Sequence, residues 1–287
     1  MKNEDQFHGI NLGCGACVHP EWRNLDINPY VEGVEPWDAN LGIPASSNSV
    51  DYVYHSHLLE HLNEEQGELL TKECLRILKP GGIVRIALPD LERICRDYLH
   101  ALEDVDQNRE FSKLNAHWMR LELFDQMTRQ TSGGLMIKFL KSSPENKEFL
   151  VKRCGKGIIS NFETNHASQD SALNYKPLPW HLSLKQKIRN WTDPLFLKEK
   201  LIKIILSDND YDALCSGRFQ NCGELHKHMY DRFSLSELLK KVGFVKCSLQ
   251  SHVSSLIPKW EEFQLDTTNT GDARKPDSLF LEAIKPK

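Results

Sequence analysis

The stretch from Asn63 to Asp90 limits the possible folds of this chain most strongly, because a helix, a stop signal and a buried strand follow one another in it. Asn63 can cap the helix, and Gln66 three positions later completes a capping box. Apolar residues at helical spacing follow, until the Lys-Pro-Gly-Gly sequence at 79–82 ends the helix. The apolar run 83–88 then predicts a mostly buried strand that ends at Pro89-Asp90.

Further apolar segments bounded by turn residues predict the other strands. They are Gly9–Leu12, Arg23–Ile27, Val50–His55, Val245–Val253 and Ser278–Ile284. Strand, helix and strand alternate in both flanks of the chain, which favours an α/β fold with an open, largely parallel sheet.

A second helix is predicted just before the late strands. Ser234 and Glu237 have the spacing of a capping box, and Phe233 and Leu238 that of a hydrophobic staple. Gly243 is expected to close this helix.

The middle of the chain has a different pattern and is expected to be a mostly helical insertion. Residues 109–130 carry apolar side chains at helical spacing, and residues 182–206 are helical in pattern twice, the second time with Asp193 as N-cap and Pro194 at the first helical position. Residues 142–175 are expected to be rich in loops. The predicted division is 1–99 for the first part of the core, 100–225 for the insertion, which we expect to act as a lid, and 226–287 for the rest of the core.

Composition excludes several classes of function. The chain has 287 residues, 40 % of them hydrophobic and 26 % charged, and a net charge of -4, so a basic surface for nucleic acid is not expected. The polar N-terminus lacks the pattern of a signal peptide, and no apolar run reaches membrane-spanning length. A cytoplasmic protein without stable membrane insertion is expected. The run 195–206 is typical of a lid or dimer helix, so a homodimer is also considered.

The eight cysteines are scattered along the chain and are expected to be reduced. Cys14 and Cys17 form a C-x-x-C pair, which is also found in redox and zinc sites. The further ligands that zinc would need are Cys215, Cys222, His226 or His228, and their spacing fits no standard zinc finger. No metal is therefore expected.

A glycine loop follows the first strand and indicates a cofactor site. Gly13 and Gly15 let backbone N–H groups approach a ligand closely. Val18 stands where a dinucleotide fingerprint has its third glycine, and a P-loop sequence is absent. Asp26, at the end of the next strand, can accept hydrogen bonds from both hydroxyls of a ribose. A cofactor with a ribose but no pyrophosphate fits these features, and S-adenosylmethionine (SAM) is such a cofactor.

At this point the sequence resembles the class I SAM-dependent methyltransferases, and within them a bacterial branch of predicted methyltransferases of type 11. The resemblance covers both flanks and rests on an ordered set of motifs. They are NLGCG at 11–15, Asp26, Asp38 in EPWDANLGIP, the segment SNSVDYVYHSHLLEHL and the segment ECLRILKPGGIVRIALPD.

The resemblance implies a Rossmann-like, doubly wound, seven-stranded sheet with the helical insertion between strands 5 and 6. It also implies SAM as cofactor and S-adenosylhomocysteine as product. The residues expected to bind the cofactor are Asn11, Gly13, Cys14, Gly15, Asp26, Ile27, Asp38, Ala39 and His55. Two positions depart from the family pattern, because Asn11 replaces an acidic residue and Cys17 replaces a glycine. Asn11 still offers a carbonyl acceptor, so altered anchoring of SAM is expected rather than its loss.

Three residues are candidates for a general base, in the order His226, His57 and Asp90. His57 and Asp90 follow strands at the edge of the sheet where ligands bind, although Asp90 could simply cap the next helix. His226 lies in the segment ELHKHMYDRFS, which is rich in acid-base groups. His61 has apolar neighbours and is expected to be a structural histidine.

A polar stripe in the insertion supplies candidates for substrate binding. Glu122, Asp125 and Arg129 share one face of the helix predicted at 109–130. Such a stripe is ordinarily solvated, but on a lid it would position a polar substrate. His228 and Tyr230 complete the expected substrate site.

The motifs together predict transfer of a methyl group from SAM to a small-molecule or glycan acceptor, with a hydroxyl of a sugar or secondary metabolite as the leading class. N-methylation of a small molecule or protein and a catalytically inactive SAM-binding regulator are the alternatives. An NAD-linked oxidoreductase is disfavoured because the third glycine of its fingerprint is missing.

Overall fold

The computed structural model describes residues 8–142, 144–159 and 194–287. Seven strands form its sheet, namely β1 (Gly9–Leu12), β2 (Trp22–Asp26), β3 (Val34–Pro36), β4 (Val50–Ser56), β5 (Leu78–Pro89), β6 (Val245–Gln250) and β7 (Ser278–Ile284). Their order across the sheet is β3-β2-β1-β4-β5-β7-β6. Only β7 runs antiparallel to its neighbours β5 and β6. The expected seven-stranded, mostly parallel sheet is confirmed.

Helices occupy the connections between these strands. They are α1 (Glu64–Ile77), α2 (Leu91–Asp106), α3 (Ser112–Thr128), α4 (Gly134–Lys141), α5 (Lys147–Cys154), α6 (Pro194–Ile205), α7 (Asp208–Gln220), α8 (Arg232–Val242) and α9 (Trp260–Phe263). Short 3-10 turns lie at Leu59–His61 and Lys156–Ile158. Within the described residues, every helix is too short or too polar to cross a lipid bilayer.

Helix α1 begins as the sequence predicts, because Asn63 and Gln66 form the expected capping box. The strand that follows begins earlier than predicted, at Leu78 rather than at Ile83. The Lys-Pro-Gly-Gly segment belongs to this strand, whose pairing with β4 is irregular there. A Cβ atom on Gly82 would lie 2.9 Å from the backbone oxygen of Asp51, so only glycine permits strands β4 and β5 to approach this closely.

The sequence predicts Ser234 as the N-cap of helix α8, which is wrong, because the N-cap lies three residues earlier. Asp231 is the N-cap, and its carboxylate accepts hydrogen bonds from the backbone N–H groups of Phe233 and Ser234. Phe233 is 72 % exposed and therefore makes no staple with Leu238. A carboxylate at the start of the helix is favoured by the helix dipole, which explains the earlier start. Gly243 ends the helix in the left-handed conformation, as predicted.

The main core lies between one face of the sheet and helices α1 and α8. Alternate strand residues such as Leu12, Val53 and Ile86 point to this face, where they meet Leu70 of α1 and Leu239 of α8. Since successive side chains of a strand point to opposite faces, the other half of each strand faces the opposite layer.

That opposite layer is formed by the connection between β6 and β7, which the sequence shows only as a polar stretch. Trp260 and Phe263 of this connection pack on Trp22 of β2, with ring centroids 6.1 and 5.5 Å away, and Trp260 also packs on Tyr54 of β4 at 5.1 Å. Segment 251–277 is therefore a covering layer of the sheet.

A buried ion network fixes this covering layer to the sheet. Arg85 of β5 is fully buried and pairs with Asp266 of the layer at 2.7 Å and with Glu282 of β7 at 2.8 Å. Its guanidinium also donates to the backbone oxygens of Ser251 and Ser254. The network thus joins two strands to both ends of the covering layer.

Between β5 and β6, helices α2 to α5 pack around the buried Trp118 and form a second core. Helix α5 lies in the stretch that was expected to be rich in loops, so that expectation is wrong for residues 147–154. Helix α6 begins at Pro194 as predicted, whereas the predicted cap Asp193 and the helical pattern before it lie outside the described residues. All eight cysteines are free thiols, as expected.

Candidate functional site

The order of the strands creates a crevice beyond the ends of β1 and β4. The chain runs from β1 outward to β2 and β3 on one side, and from β4 outward to β5 on the other. Loops that leave the carboxyl ends of β1 and β4 therefore diverge, and ligands of open α/β sheets bind in the gap between them. The glycine loop follows β1 and His57 follows β4, so both motifs lie at this crevice.

The glycine loop is held in a conformation that leaves its backbone accessible. Gly13 and Gly15 have φ angles of 61° and 53°, which side chains disfavour. A Cβ atom on Gly13 would lie 3.0 Å from Leu58, so the loop and the segment after β4 approach closely. Asp26 accepts a hydrogen bond of 2.8 Å from the backbone N–H of Gly15.

Asn11 has a structural role in the same loop. Its side-chain amide donates to the backbone oxygen of Cys17 at 2.9 Å and to the side-chain oxygen of Asn24 at 3.0 Å. An acidic residue could not donate these two hydrogen bonds. The departure from the family pattern at this position therefore fixes the path of the glycine loop.

A first cavity of about 250 Å³ brings together several residues that the sequence predicts for the cofactor; we call it the ribose cavity. Gly13, Asp26, Ile27, Asp38 and Ala39 line it, together with His57 and His61. The side facing the insertion is closed by Asn221, Cys222, Gly223 and Lys227, which the sequence analysis missed. These last residues carry no recognisable motif, and only the fold brings them to the cavity.

A second cavity of about 430 Å³ adjoins the glycine loop; we call it the cationic cavity. Asn11, Gly13, Cys14 and Gly15 line one part of it. Another part is lined by Arg274, Lys275, Ser278 and Phe280, from the covering layer and the start of β7. This second group could not be predicted from the sequence, because it lies more than two hundred residues from the glycine loop.

His57 lines both cavities and has a constrained geometry. Its φ angle is 53°, in the left-handed region, and its backbone N–H donates to the oxygen of Ala87 at 2.8 Å. Its Nδ1 lies 3.2 Å from Oε1 of Glu60, and its Nε2 lies 2.8 Å from Oγ of Ser278. Because an ionised carboxylate can only accept, the proton of the neutral ring lies on Nδ1, and Nε2 accepts a hydrogen bond from the hydroxyl of Ser278.

Glu60 was not identified from the sequence, yet it is 1 % exposed and surrounded by histidines. Burial alone raises the pKa of Glu60, but the hydrogen bond and charge of His57 and the attraction of the other histidines outweigh it and lower that pKa to about 2. Glu60 is therefore an ionised carboxylate in the interior. Its position in LLEHL, three residues after His57, was the signal that could have found it.

Two of the predicted site histidines lie away from both cavities. His55 is buried in the sheet, and burial lowers its pKa to about 4. His55 was expected to contact the cofactor, but it lines neither cavity, because successive residues of a strand point to opposite faces of a sheet. His226 is 4 % exposed and packs edge-on against His61, with ring centroids 4.8 Å apart, and burial lowers its pKa to about 3.

Asp90 caps helix α2 and accepts a hydrogen bond of 3.2 Å from the backbone N–H of Arg93. Burial raises its pKa. It also pairs through the backbone with Tyr230 and lines neither cavity. The position of Asp90 is therefore explained by its role as the N-cap of helix α2.

The polar stripe of helix α3 lies in contacts between helices. Glu122 is buried and pairs with Arg153 of α5, and burial raises the pKa of Glu122. Asp125 accepts from the backbone N–H of Leu135 at 2.7 Å, at the start of α4. Arg129 donates to the backbone oxygen of Glu224 at 2.7 Å. These three side chains line neither cavity, contrary to the expected substrate site, because they hold the helices together.

His228 and Tyr230 also lie outside both cavities. Tyr230 belongs to the main core, and burial raises its pKa to about 12. His228 packs against this ring, with centroids 4.4 Å apart.

Comparison with known proteins gives one sequence match. Residues 11–86 match a family model described as "Methyltransferase domain", and this range contains the glycine loop, Asp26, Asp38 and His57. Among curated proteins, none matches the sequence significantly.

Two solved structures illustrate the likeness in fold. A SAM-dependent methyltransferase from Archaeoglobus fulgidus aligns over 98 % of this chain and 87 % of its own, with 13 % identity and a TM-score of 0.37. The CurJ carbon methyltransferase aligns over 100 % of this chain and 50 % of its own, with 8 % identity and a TM-score of 0.38.

Proposed function

Through residues 11–86 the chain belongs to the class I SAM-dependent methyltransferases, and from this premise we propose that it methylates a hydroxyl group of a small polar acceptor, such as a sugar or a secondary metabolite. One observation carries the proposal of a hydroxyl acceptor. His57 lies where the ribose cavity and the cationic cavity meet, with Glu60 on one ring nitrogen and a lone pair on the other. A hydroxyl group needs such a base, whereas an amine can react without one.

The residues present fit SAM. Asp26, at the end of β2, faces the ribose cavity and retains lone pairs beyond those used by the glycine loop, so it can accept from ribose hydroxyls. Asp38 and Ala39 lie further along the same cavity, on the side expected for the adenine. Gly13 and Gly15 present bare backbone toward the methionyl part. Bound there, SAM supplies a methyl group on a sulfonium, which is open to in-line attack.

The residues of this chain then contribute alignment and proton transfer. The acceptor oxygen forms a bond to the methyl carbon as the carbon–sulfur bond breaks, and the electron pair of that bond stays on sulfur. Nε2 of His57 takes the proton of the hydroxyl, and Glu60 stabilises the resulting imidazolium. Alignment in a closed site can lower the barrier by about 7–11 kcal/mol.

The lining of the cationic cavity favours a particular class of acceptor. Arg274 and Lys275 place two cationic side chains in the lining of this cavity, beside Asp266, which is paired with Arg85. We propose that they bind an anionic group of the acceptor, such as the phosphate of a phosphorylated or nucleotide-linked sugar. Replacement of Lys275 by alanine is then expected to raise KM for a phosphorylated acceptor about tenfold or more, with KM for its neutral counterpart unchanged in steady-state assays.

The experiment that tests the cofactor site is calorimetric titration of Asp26→Ala with SAM and S-adenosylhomocysteine. We expect Kd to rise at least about 100-fold, because two charge-assisted hydrogen bonds to the ribose are lost. Asp51→Ala is the matched control, since Asp51 pairs with Lys79 away from both cavities. Equal affinity in Asp26→Ala and the control would contradict the assignment of Asp26.

A panel of acceptors separates hydroxyl methylation from the alternatives. Turnover of SAM with hydroxyl acceptors, lost in a His57 variant, supports the proposal. Turnover with amines alone would indicate N-methylation. Tight binding of SAM without turnover on any acceptor would favour a regulator, which the geometry of His57 makes the weaker interpretation.

A further inference from the structure

A second group of polar side chains adjoins the ribose cavity and shares Glu60 with the proposed proton transfer. Glu60 and His61 come from the 3-10 turn after β4, and His226 comes from the segment between α7 and α8. Each offers one atom that can bind a metal, and these atoms lie within 4.8 Å of one another. We call these three residues the Glu60 cluster.

Glu60 has too few partners for a buried carboxylate. Apart from the 3.2 Å contact between Oε1 and Nδ1 of His57, neither oxygen has a hydrogen-bond partner in the part of the chain that the structure describes. A buried charge is costly unless it is paired and hydrogen-bonded or bound to a metal. The carboxylate therefore has capacity for a further cationic partner.

One of the two histidines, His61, is oriented as metal ligands usually are. Nδ1 of His61 lies 3.3 Å from the backbone oxygen of Leu225, which can only accept, so the proton lies on Nδ1 and Nε2 keeps its lone pair. Nδ1 of His226 is buried and has no hydrogen-bond partner among the described residues. Two imidazole side chains and a carboxylate thus each place a possible ligand atom within 4.8 Å of the other two.

The backbone holds the two segments of the cluster together. The backbone carbonyl oxygen of Glu60 accepts hydrogen bonds from the backbone N–H groups of Lys227 at 2.7 Å and of His228 at 3.2 Å. The N–H of His226 donates to the oxygen of Gln126 in helix α3 at 3.0 Å. Ligand bonds of about 2 Å place ligand atoms roughly 3–4 Å apart, so the atoms of the cluster, which lie within 4.8 Å of one another, would move closer together on binding a metal.

Two cationic side chains act electrostatically on the cluster, Lys275 on Glu60 and His61 and Arg129 on His226. Arg129 acts electrostatically on His226, but its guanidinium donates to the backbone oxygen of Glu224 and lies 3.5 Å from the carboxylate of the same residue. This guanidinium therefore has its own partner outside the cluster.

We propose that Glu60, His61 and His226 bind one divalent transition-metal ion, of which Zn²⁺ is the best match to two imidazoles and a carboxylate. The ion joins the turn after β4 to the segment between α7 and α8, and so fixes the insertion against the core. This structural role does not depend on the identity of the acceptor, and it shares Glu60 with the proposed proton transfer through His57.

The test is calorimetric titration of ZnCl₂ into the full-length protein after treatment with EDTA and dialysis. We expect one ion per chain, and we expect His226→Ala and Glu60→Gln each to weaken binding at least about 100-fold, since even the loss of an outer partner of a metal ligand costs about 10- to 100-fold. His228→Ala is the matched control, because His228 lies in the same segment but outside the cluster. Zn²⁺ is also expected to raise Tm of the original protein and of the control, but not of the two variants.

Two results would overturn the proposal. One is a folded original protein that binds no Zn²⁺. The other is binding that is equally strong in His226→Ala, Glu60→Gln and the control, which would place the ion on surface histidines. Glu60→Gln preserves the shape of the side chain, so it remains informative if His226→Ala does not fold. Titration with S-adenosylhomocysteine on the same samples reports the cofactor site separately.

Discussion

Replacement of His57 by asparagine is expected to lower kcat for methyl transfer to a hydroxyl acceptor by about 100- to 10,000-fold, the range typical of a lost general base. Asparagine is the suitable replacement because it tolerates the left-handed φ of 53° at this position but cannot take up the proton. Affinity for S-adenosylhomocysteine is expected to change little, because the proposed ribose contacts are made by Asp26 and not by His57. Steady-state rates and calorimetry on the same preparation measure both quantities.

The control for this prediction is His100→Ala. His100 is exposed on helix α2 and pairs with Glu103 at 3.2 Å, so its loss should leave kcat within about twofold of the original value. A rate for His57→Asn within about tenfold of the original would mean that His57 does not act as the base. Methylation of an amine at an unchanged rate by the same variant would agree with the proposed role, since an amine can react without a base.

Replacement of Arg85 by alanine is expected to lower the free energy of unfolding by about 3–5 kcal/mol, because Asp266 and Glu282 would then be buried without their cationic partner. The loss also removes the contact of the guanidinium with the ring of Trp260, 4.4 Å away. Urea denaturation followed by circular dichroism measures the difference.

Lys79→Ala is the matched control for this second prediction. Lys79 pairs with Asp51 at 2.8 Å, but both side chains are partly exposed, so the expected loss is below about 1 kcal/mol. An equal loss in both variants would show that the buried network contributes no more than a surface ion pair. Arg85→Ala should also increase proteolysis in segment 251–277, because that layer is anchored through Asp266 and the backbone oxygens of Ser251 and Ser254.

Much of the sheet could be predicted because its signals are local. Asn63 and Gln66 cap a helix through atoms three residues apart, and the alternation of Ser278–Ile284 with its flanking turn residues marks a strand whose bounds agree with the structure. Gly13 and Asp26 were assigned to the cofactor from their positions after two strands, and the fold places both on the ribose cavity. Short-range chemistry was sufficient for these features.

Other local patterns were ambiguous because tertiary contacts decided between them. Ser234 and Asp231 both have the chemistry of a helix cap, and the structure uses Asp231. Glu122 belongs to a polar stripe that would be solvated on an isolated helix, but Arg153 of another helix buries it. A charged residue can be buried when a partner of opposite charge is brought to it, and the sequence of one helix does not show that partner.

The sequence by itself determined the α/β class, the start of the best-capped helix, and the match of residues 11–86 to a methyltransferase domain. Only the tertiary structure decided that the polar stretch before β7 covers one face of the sheet and brings Lys275 to the glycine loop. It also decided that Glu60 meets His57 and His226, which lie on segments separated by most of the chain. The physical reason is that caps, turns and strand alternation depend on neighbours within a few residues, whereas cavities and buried charges depend on which distant segments the sheet order brings together.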